Sequence, residues 1–322
     1  MSLAPFAGVP TLGNYFGALQ NWVRMQDETK TSLYMVVDLH ALTIPQNPDT
    51  LRVGIRDMAM TLLAIGLDPQ KSIIFQQSKV RQHAELGWIL SCICPYGMLG
   101  KMTQWKDKGV KQNKQVGLFT YPVLQAADIL IYSATHVPVG ADQRQHLELT
   151  RDLAGIFNHK YDTDILRLPE AIFNSSERVM SFREPTKKMS KSDPHDYSRI
   201  NLNDSDDLIM KKLRKAVTDS EDGIEYDQAN RLPLANLIDL AVAATGKTRE
   251  QVCSECSGMN KLQFKEYLAH QLIAIVAPIR EEYARLESDR GYVDAVLNEG
   301  SSRASAIAEQ NMVRIKEVIG IN

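Results

Sequence analysis

The stretch Lys187-Lys188-Met189-Ser190-Lys191-Ser192-Asp193-Pro194 places three lysines and two serines within six residues. No acidic residue precedes Asp193 in this stretch, whereas a solvated surface helix usually mixes its lysines with glutamates. Several cationic donors on one loop suit a polyanion such as a triphosphate. This composition alone leaves a phosphate-binding loop and a solvated basic loop equally open.

Composition is typical of a globular protein. The chain has 322 residues, 44% apolar and 24% charged, which suggests about two domains. The 37 basic and 39 acidic residues give a formal charge of −2, so a nucleic-acid contact would have to be a local patch. No apolar run approaches the roughly 18 residues of a membrane span, and we expect no membrane association.

The four cysteines are too few for a disulfide framework. Cys253 and Cys256 are spaced like metal ligands, but the nearby sequence has no second pair of Cys or His residues. We therefore expect buried thiols and no metal site. Residues 1–7 carry no charge, so we expect neither a secretory signal nor a transit peptide there.

The first half of the chain predicts strands alternating with helices. Ser32–Val37 and Lys71–Gln76 are short apolar runs typical of buried strands. Between them, Asn47-Pro48 supplies a helix cap and a first-turn proline, and Gly66 ends the helix. Strand, helix and strand in this order predict a βαβ unit with a parallel sheet. A further helix follows, and we expect its Trp88 in the core.

The second half predicts helices without long strands. A helix is expected after Asp204, with Lys211, Lys212, Arg214 and Lys215 on a solvated face. Further amphipathic helices are predicted at 233–243, 261–277 and 301–319, and Pro278 is expected to end or kink its helix. The fold class is therefore α/β, a parallel-sheet domain followed by an all-α domain.

Two segments contain candidate ligand-binding groups. Gly8–Leu19 has glycines before a predicted helix, where a phosphate could approach backbone N–H groups, although such glycines are common. Asp128 stands alone in the apolar helical run Thr120–Tyr132. A buried carboxylate needs a donor. An internal hydrogen bond is the simpler interpretation, and a ligand donor such as an indole N–H is the alternative.

Two further segments could contact a nucleotide, one at the end of a predicted strand and one in a lysine-rich stretch. His136–His146 predicts a strand, a tight turn and a helix start, where a carboxylate such as Asp142 can accept from ribose hydroxyls. Residues 101–114 hold five lysines and one aspartate, and their composition favours a solvated loop.

These motifs together resemble one family. Lys-Met-Ser-Lys-Ser at 188–192 resembles the second signature of class I aminoacyl-tRNA synthetases, and Thr11-Leu12-Gly13-Asn14 resembles their His-Ile-Gly-His motif as tryptophanyl-tRNA synthetases carry it. Residues 102–108, 120–132 and 136–146 resemble that family's triphosphate segment, tryptophan-pocket helix and ribose segment. Ala141 departs from the acid that is usual there. The resemblance covers nearly the whole chain.

The resemblance implies site residues by position. For catalysis it implies Asn14, Lys188, Ser190, Lys191 and Ser192. For ATP binding it implies Thr11, Gly13, Asn14, Gln104, Lys108, Gly140, Asp142, Gln143, Val179 and Met189. For tryptophan binding it implies His40, Tyr121, Gln125 and Asp128, with Asp128 accepting from the indole N–H.

The resemblance also implies activity and organisation. L-Tryptophan would be activated with ATP and Mg²⁺ to tryptophanyl-adenylate and transferred to tRNA(Trp) by a homodimer. Residues 1–186 would form a Rossmann-like catalytic domain, 187–200 a mobile loop and 201–322 a helical anticodon-binding domain. The last helix could pack back on the first domain.

The N-terminus departs from the family. Family members open with a strand ending in a Gly-x-Gln-Pro turn, and residues 1–7 hold no such glutamine. We therefore expect the first central strand to be missing. An N-terminally trimmed, catalytically impaired product that dimerises or binds tRNA is the alternative function, and a tyrosine-specific synthetase is a more distant one.

The compartment is suggested by sequence variants alone. Gln125 stands where many bacterial members have Met, and Ser91–Cys94 also resembles the mitochondrial type. We therefore expect the mitochondrial matrix, with a bacterial-type cytoplasmic location as the alternative.

Overall fold

The computed structural model describes residues 2–4 (backbone only), 9–103, 105, 115–140, 143–173, 179–191 and 193–321. Its central sheet has three parallel strands in the order β1-β2-β3. They are β1 Ser2–Ala4, β2 Ser32–Val36 and β3 Ser72–Gln76. A second parallel pair consists of β4 His136–Val139 and β5 Glu170–Phe173.

Helices make up most of the rest of the described chain. The first half contains α1 Leu12–Asn14, a π-helical turn Tyr15–Leu19, α2 Gln20–Glu28, α3 Asp38–Ala41, α4 Pro48–Ala64, α5 Gln82–Ser91, α6 Tyr96–Gly100, α7 Val116–Leu130 and α8 Arg144–Lys160. The second half contains α9 Asp206–Arg214, α10 Leu232–Thr245, α11 Arg249–Glu255, α12 Lys261–Ser288 and α13 Arg290–Ile319. Within the described residues, no helix combines the length and apolar character that crossing a bilayer requires.

The predicted βαβ unit is confirmed as β2–α4–β3. Asn47 Oδ1 caps α4 by accepting from the backbone N–H groups of Asp49 and Thr50 at 2.9 and 3.1 Å. At the other end, Gly66 adopts a φ of 105°, which favours glycine. These two local signals bound the helix at the predicted places.

The expected loss of the first strand is wrong. Ser2–Ala4 pairs in parallel with β2, and Leu3 lies beside Met35. β1 also contacts β4, so it lies between the two described sheets. The family's glutamine turn would fall on residues 5–8, which lie outside the described residues.

Helices cover both faces of the sheet. Along the strands, alternate side chains enter two apolar clusters, as the pleat requires. Tyr34 and Ile74 join a cluster that includes α1, α4 and the helices after residue 206. Met35 and Phe75 join the other, with α5, α7, α8 and the end of α13. The first cluster contains residues from both sides of the predicted boundary at residue 201.

Three expectations about side chains and helix ends are corrected. Trp88 is 72% exposed rather than buried, because it lies on the outer side of α5. Lys212 is fully buried, since its Nζ lies 2.6 Å from Asp204 Oδ2 and 2.7 Å from Asp196 Oδ2. Pro278 lies inside α12, which continues to Ser288, so the helix does not end there, and the kink stays a prediction.

The last helix covers the free edge of β3. The Gln76 N–H donates to Ser301 Oγ at 3.4 Å, and Arg303 donates to the Pro69 carbonyl at 2.9 Å. A Cβ atom added at Gly300 would overlap the Ile74 carbonyl oxygen and lie 2.7 Å from its carbonyl carbon. Gly300 therefore permits a backbone approach that no other residue allows.

Gly300→Ala is expected to lower the free energy of unfolding by about 3 kcal/mol, because the new methyl group must push α13 away from β3. Chemical denaturation measures this change. Gly291→Ala is the matched control on the same helix, where the added Cβ would meet only Asp289 Oδ1 at 3.8 Å. It should be neutral or slightly stabilising. Equal effects of the two changes would contradict the close approach.

Candidate active site

The candidate site lies where neighbouring parallel strands end. Ligands of open α/β sheets bind at the carboxyl ends of the strands. β1 leads toward Thr11, β2 leads directly into Asp38 and His40, and β3 leads into Gln77. Because these strands are parallel neighbours, the three following segments begin at the same edge of the sheet.

The segment Thr11–Asn14 forms a closed helix start. The Asn14 N–H donates to Thr11 Oγ1, and Asn14 Oδ1 accepts from the Thr11 N–H at 3.0 Å, which makes a capping box. The Leu12 N–H donates to the Ile200 carbonyl at 2.9 Å. The π-helical turn follows at once. Such turns often occur at functional sites.

The basic loop lies directly on this helix start. The Met189 N–H donates to the Val179 carbonyl at 2.9 Å, and Met180 forms an antiparallel bridge with Lys188. Met189 is buried, and a Cβ added at Gly13 would lie 3.5 Å from the Met189 Cβ. The structure thus brings together the two motifs that the sequence placed 174 residues apart, at 14 and 188.

The described polar side chains of this loop are exposed around the buried Met189. Lys188, Ser190 and Lys191 are exposed. Partial burial of the Lys191 ammonium, together with the nearby Arg199 charge, lowers the pKa of Lys191. The arrangement presents cationic donors on an apolar anchor.

Asp128 lies at the centre of a second group. It is fully buried on α7, and its carboxylate accepts four hydrogen bonds. Their donors are His40 Nε2 at 2.7 Å, His83 Nδ1 at 2.6 Å, and Gln77 Nε2, which reaches both oxygens at 2.9 and 3.0 Å. Burial would raise the pKa of Asp128, but His40 and His83 lower it to about 2. The side chain is therefore an anion, and the internal-hydrogen-bond interpretation of Asp128 describes this structure.

Tyr121 and Gln125 precede Asp128 on the same helix. The Tyr121 ring lies edge-on to His40 at 6.2 Å, and its hydroxyl is 2.9 Å from His146 Nε2. Gln125 Nε2 donates to Gln143 Oε1 at 3.3 Å. This bond joins a residue predicted for tryptophan to one predicted for ATP.

Some predicted site residues are not described. Gln104, Lys108, Asp142 and Ser192 lie outside the described residues. Gly140 directly follows β4, and its carbonyl accepts from the Gln143 N–H at 3.0 Å. In the part of the chain that the structure describes, no three His, Cys, Asp or Glu side chains are grouped to hold a metal.

Sequence reasoning missed the residues that hold Asp128 in place. Gln77 immediately follows β3, and His83 lies in the first turn of α5. Both are buried. For Gln77, the position just after a strand was the available signal, because polar residues there face the ligand edge of a parallel sheet. His83, in the next helix, carried no such signal.

Comparison with known proteins gives the family. Residues 3–277 match the sequence model of the tRNA synthetases class I (W and Y). The tryptophan–tRNA ligase of Rickettsia conorii is 45% identical over 312 residues, covering 96% of this chain and 94% of that protein.

Two solved structures of tryptophanyl-tRNA synthetases are also similar to this chain. The tryptophanyl-tRNA synthetase of Mycoplasma pneumoniae has a TM-score of 0.86 at 32% identity, with coverage of 100% of this chain and 97% of that one. The Campylobacter jejuni enzyme, solved with ADP and tryptophan, has a TM-score of 0.85 at 33% identity, with coverage of 99% and 98%. With its Lys-Met-Ser-Lys-Ser loop seated on the Thr11–Asn14 helix start, the chain belongs to the class I tRNA synthetases of the W and Y group.

Proposed function

We propose that this chain is a tryptophan–tRNA ligase, which activates L-tryptophan with ATP and transfers it to tRNA(Trp). The observation that carries the proposal is the buried anionic Asp128, a hydrogen-bond acceptor in a chain that also carries the Lys-Met-Ser-Lys-Ser class signature. The relatives named above are tryptophan-specific, and the Campylobacter jejuni structure contains both tryptophan and an adenine nucleotide.

The first step needs positioning rather than a protein nucleophile. The tryptophan carboxylate attacks the α-phosphorus of ATP, a new O–P bond forms, and the bond to the β-phosphate bridge breaks to release pyrophosphate. In the second step the terminal ribose hydroxyl of the tRNA attacks the activated carbonyl, and AMP leaves. Aligned reactants and preorganised charge supply the acceleration.

The nucleotide side would use donors from both motifs. The phosphates would be held by Lys188, Ser190, Lys191 and Ser192, together with Gln104 and Lys108. The phosphates would approach the helix start at Thr11, Gly13 and Asn14. The ribose would be held by Gly140, Asp142 and Gln143. The adenine would lie against Val179 and Met189. Mg²⁺ would enter with ATP, held by phosphate oxygens, and would neutralise their charge.

The amino-acid side would read the indole ring. Asp128 would accept its N–H, Tyr121 would form a wall of the pocket, and His40 and Gln125 would line it. An anionic acceptor suits this task, because an indole nitrogen can donate and cannot accept.

The alternatives differ in what they must explain. A tyrosine-specific synthetase would share the fold, but the relatives reported above act on tryptophan by name. A trimmed, impaired product was suggested by the missing first strand and the missing Gly-x-Gln-Pro turn. β1 supplies the strand, whereas residues 1–8 hold no such glutamine. A measurement of turnover would distinguish an active enzyme from an impaired one.

Organisation follows the family. We propose that the helical part from residue 201 binds the anticodon of the tRNA, and that residues 1–186 and 187–200 are the catalytic domain and its loop. The relatives reported above are bacterial, which supports the bacterial-type location and gives no support to the mitochondrial matrix.

The chain exposes an apolar surface that could form the interface of a homodimer. Trp88, Tyr96 and Val116 are 72%, 80% and 76% exposed. Val116 begins α7, the Tyr96 ring contacts Phe119 of α7 at 5.1 Å, and the helix that carries Trp88 packs on α7. We propose that a second copy of the chain covers this surface.

The dimer is tested by Trp88→Glu, which should shift the sedimentation coefficient from that of a dimer to that of a monomer, because a charge would be buried unpaired. Leu262→Glu is the control, since Leu262 is 52% exposed on α12, away from this surface. A monomeric wild type would refute the proposal.

Asp128→Asn should weaken tryptophan binding about 10- to 100-fold, because an amide replaces the charged acceptor. Calorimetric titration of the amino acid measures it, and a thermal melt shows whether the variant folds. The wild type should catalyse tryptophan-dependent exchange of pyrophosphate into ATP, whereas tyrosine should not support exchange. Unchanged tryptophan affinity in the folded variant would exclude Asp128 from the pocket.

Lys191→Ala should slow adenylate formation about 100-fold and leave tryptophan affinity nearly intact, because it removes a charge that acts on the phosphates. Single-turnover kinetics measure the first quantity and titration the second. Lys187→Ala is the matched control in the same loop, since Lys187 is exposed and paired with Glu184. Equal losses in both variants would point to a general disturbance of the loop.

A further inference from the structure

We infer that His83 is a positioning residue: it fixes the Asp128 carboxylate in one orientation and so sets the preference of the pocket for an amino acid with a ring N–H. The inference rests on the proposed tryptophan site. It assigns different tasks to the two carboxylate oxygens.

The two oxygens have different partners. Oδ1 accepts from His83 Nδ1 at 2.6 Å and from Gln77, and the His83 side chain has no exposed surface. Oδ2 accepts from His40 Nε2 at 2.7 Å and from Gln77, and the His40 side chain is 15% exposed and faces the Tyr121 ring. We assign Oδ2 to the ligand N–H, which would take the place of the His40 donor, because His40 is the partner of Asp128 that has exposed surface.

His83 is itself held by its neighbours. A carboxylate can only accept, so Nδ1 carries the proton that bonds to Asp128. On the other side, Nε2 lies 2.9 Å from the Tyr132 hydroxyl. Burial and the Asp128 charge raise the pKa of Tyr132, so the hydroxyl keeps its proton and stays available as a hydrogen-bond partner of Nε2. The Phe75 ring stacks on the imidazole at 6.0 Å and fixes its plane.

The remaining buried donor cannot replace His83. Gln77 Nε2 reaches both oxygens at nearly equal distances, so it holds the carboxylate in place without selecting which oxygen faces the ligand. His83 Nδ1 bonds to Oδ1 at 2.6 Å, which is shorter than either contact of Gln77. Loss of the Nδ1 donor would let the carboxylate rotate, and Oδ2 would no longer be directed at the ligand.

The test compares two ligands of the same shape, L-tryptophan and β-(3-benzothienyl)-L-alanine, in which sulfur replaces the indole N–H. The affinity ratio of the two isolates the hydrogen bond to Oδ2. His83→Leu should reduce this ratio about tenfold, through weaker tryptophan binding alone. His83→Asn should restore part of it, because its amide can donate near the Nδ1 position. Tyr132→Phe should reduce the ratio about threefold.

His159→Leu, on the exposed end of α8, is the control and should leave the ratio unchanged. Thermal melts identify folded variants, and if His83→Leu does not fold, the ratio in Tyr132→Phe decides. An unchanged ratio, or equal losses for both ligands in folded variants, would overturn the positioning role. A wild type that binds both ligands equally would contradict the tryptophan site itself, which is a separate result.

Discussion

A negative charge buried inside an apolar helix is the constraint on which this structure depends. A lone carboxylate at that depth would cost several kcal/mol or take up a proton. Asp128 avoids both because His40, Gln77 and His83 all donate to it. These donors follow β2 and β3 and begin α5. The charge therefore requires the two strands to be neighbours that end at the same level, which is what a parallel sheet provides.

The sequence predicted the parts of this arrangement that depend on local signals. The cap at Asn47, the glycine at 66 and the apolar runs of β2 and β3 act within a few residues, and the βαβ unit follows from their order. The sequence also showed directly that Asp128 lies in an apolar helix. The partners of Asp128 could not be found in this way, because they lie 88, 51 and 45 residues away along the chain. Periodicity carries no information about such pairs.

The wrong predictions for Trp88, Lys212 and the first strand have one common cause, which is a contact between distant parts of the chain. α5 is apolar on most of its faces, so packing on α7, rather than any pattern within the helix, turns Trp88 outward. Lys212 stands among other basic residues, and its burial follows from Asp196 and Asp204, which reach it from outside the helix. β1 has only three residues, too few for a periodic signal, and pairing with β2 defines it. In each case a tertiary contact overrides a local preference.

The two halves of the site are held by different parts of the fold. At the helix start the Leu12 N–H donates to the Ile200 carbonyl. Just before it, the Pro10 carbonyl accepts from the Leu202 N–H. Met189 packs on Gly13, so the position of the helix start depends on the second half of the chain. The Asp128 group depends on the sheet and on α5. The Gln125–Gln143 bond, between two neutral amides, links a residue predicted for tryptophan to one predicted for ATP. Because different contacts hold the two halves, a change at the helix start need not alter the hydrogen bonds of Asp128. This arrangement suits the proposed reaction, in which pyrophosphate leaves after the first step while the tryptophanyl group stays bound for the second.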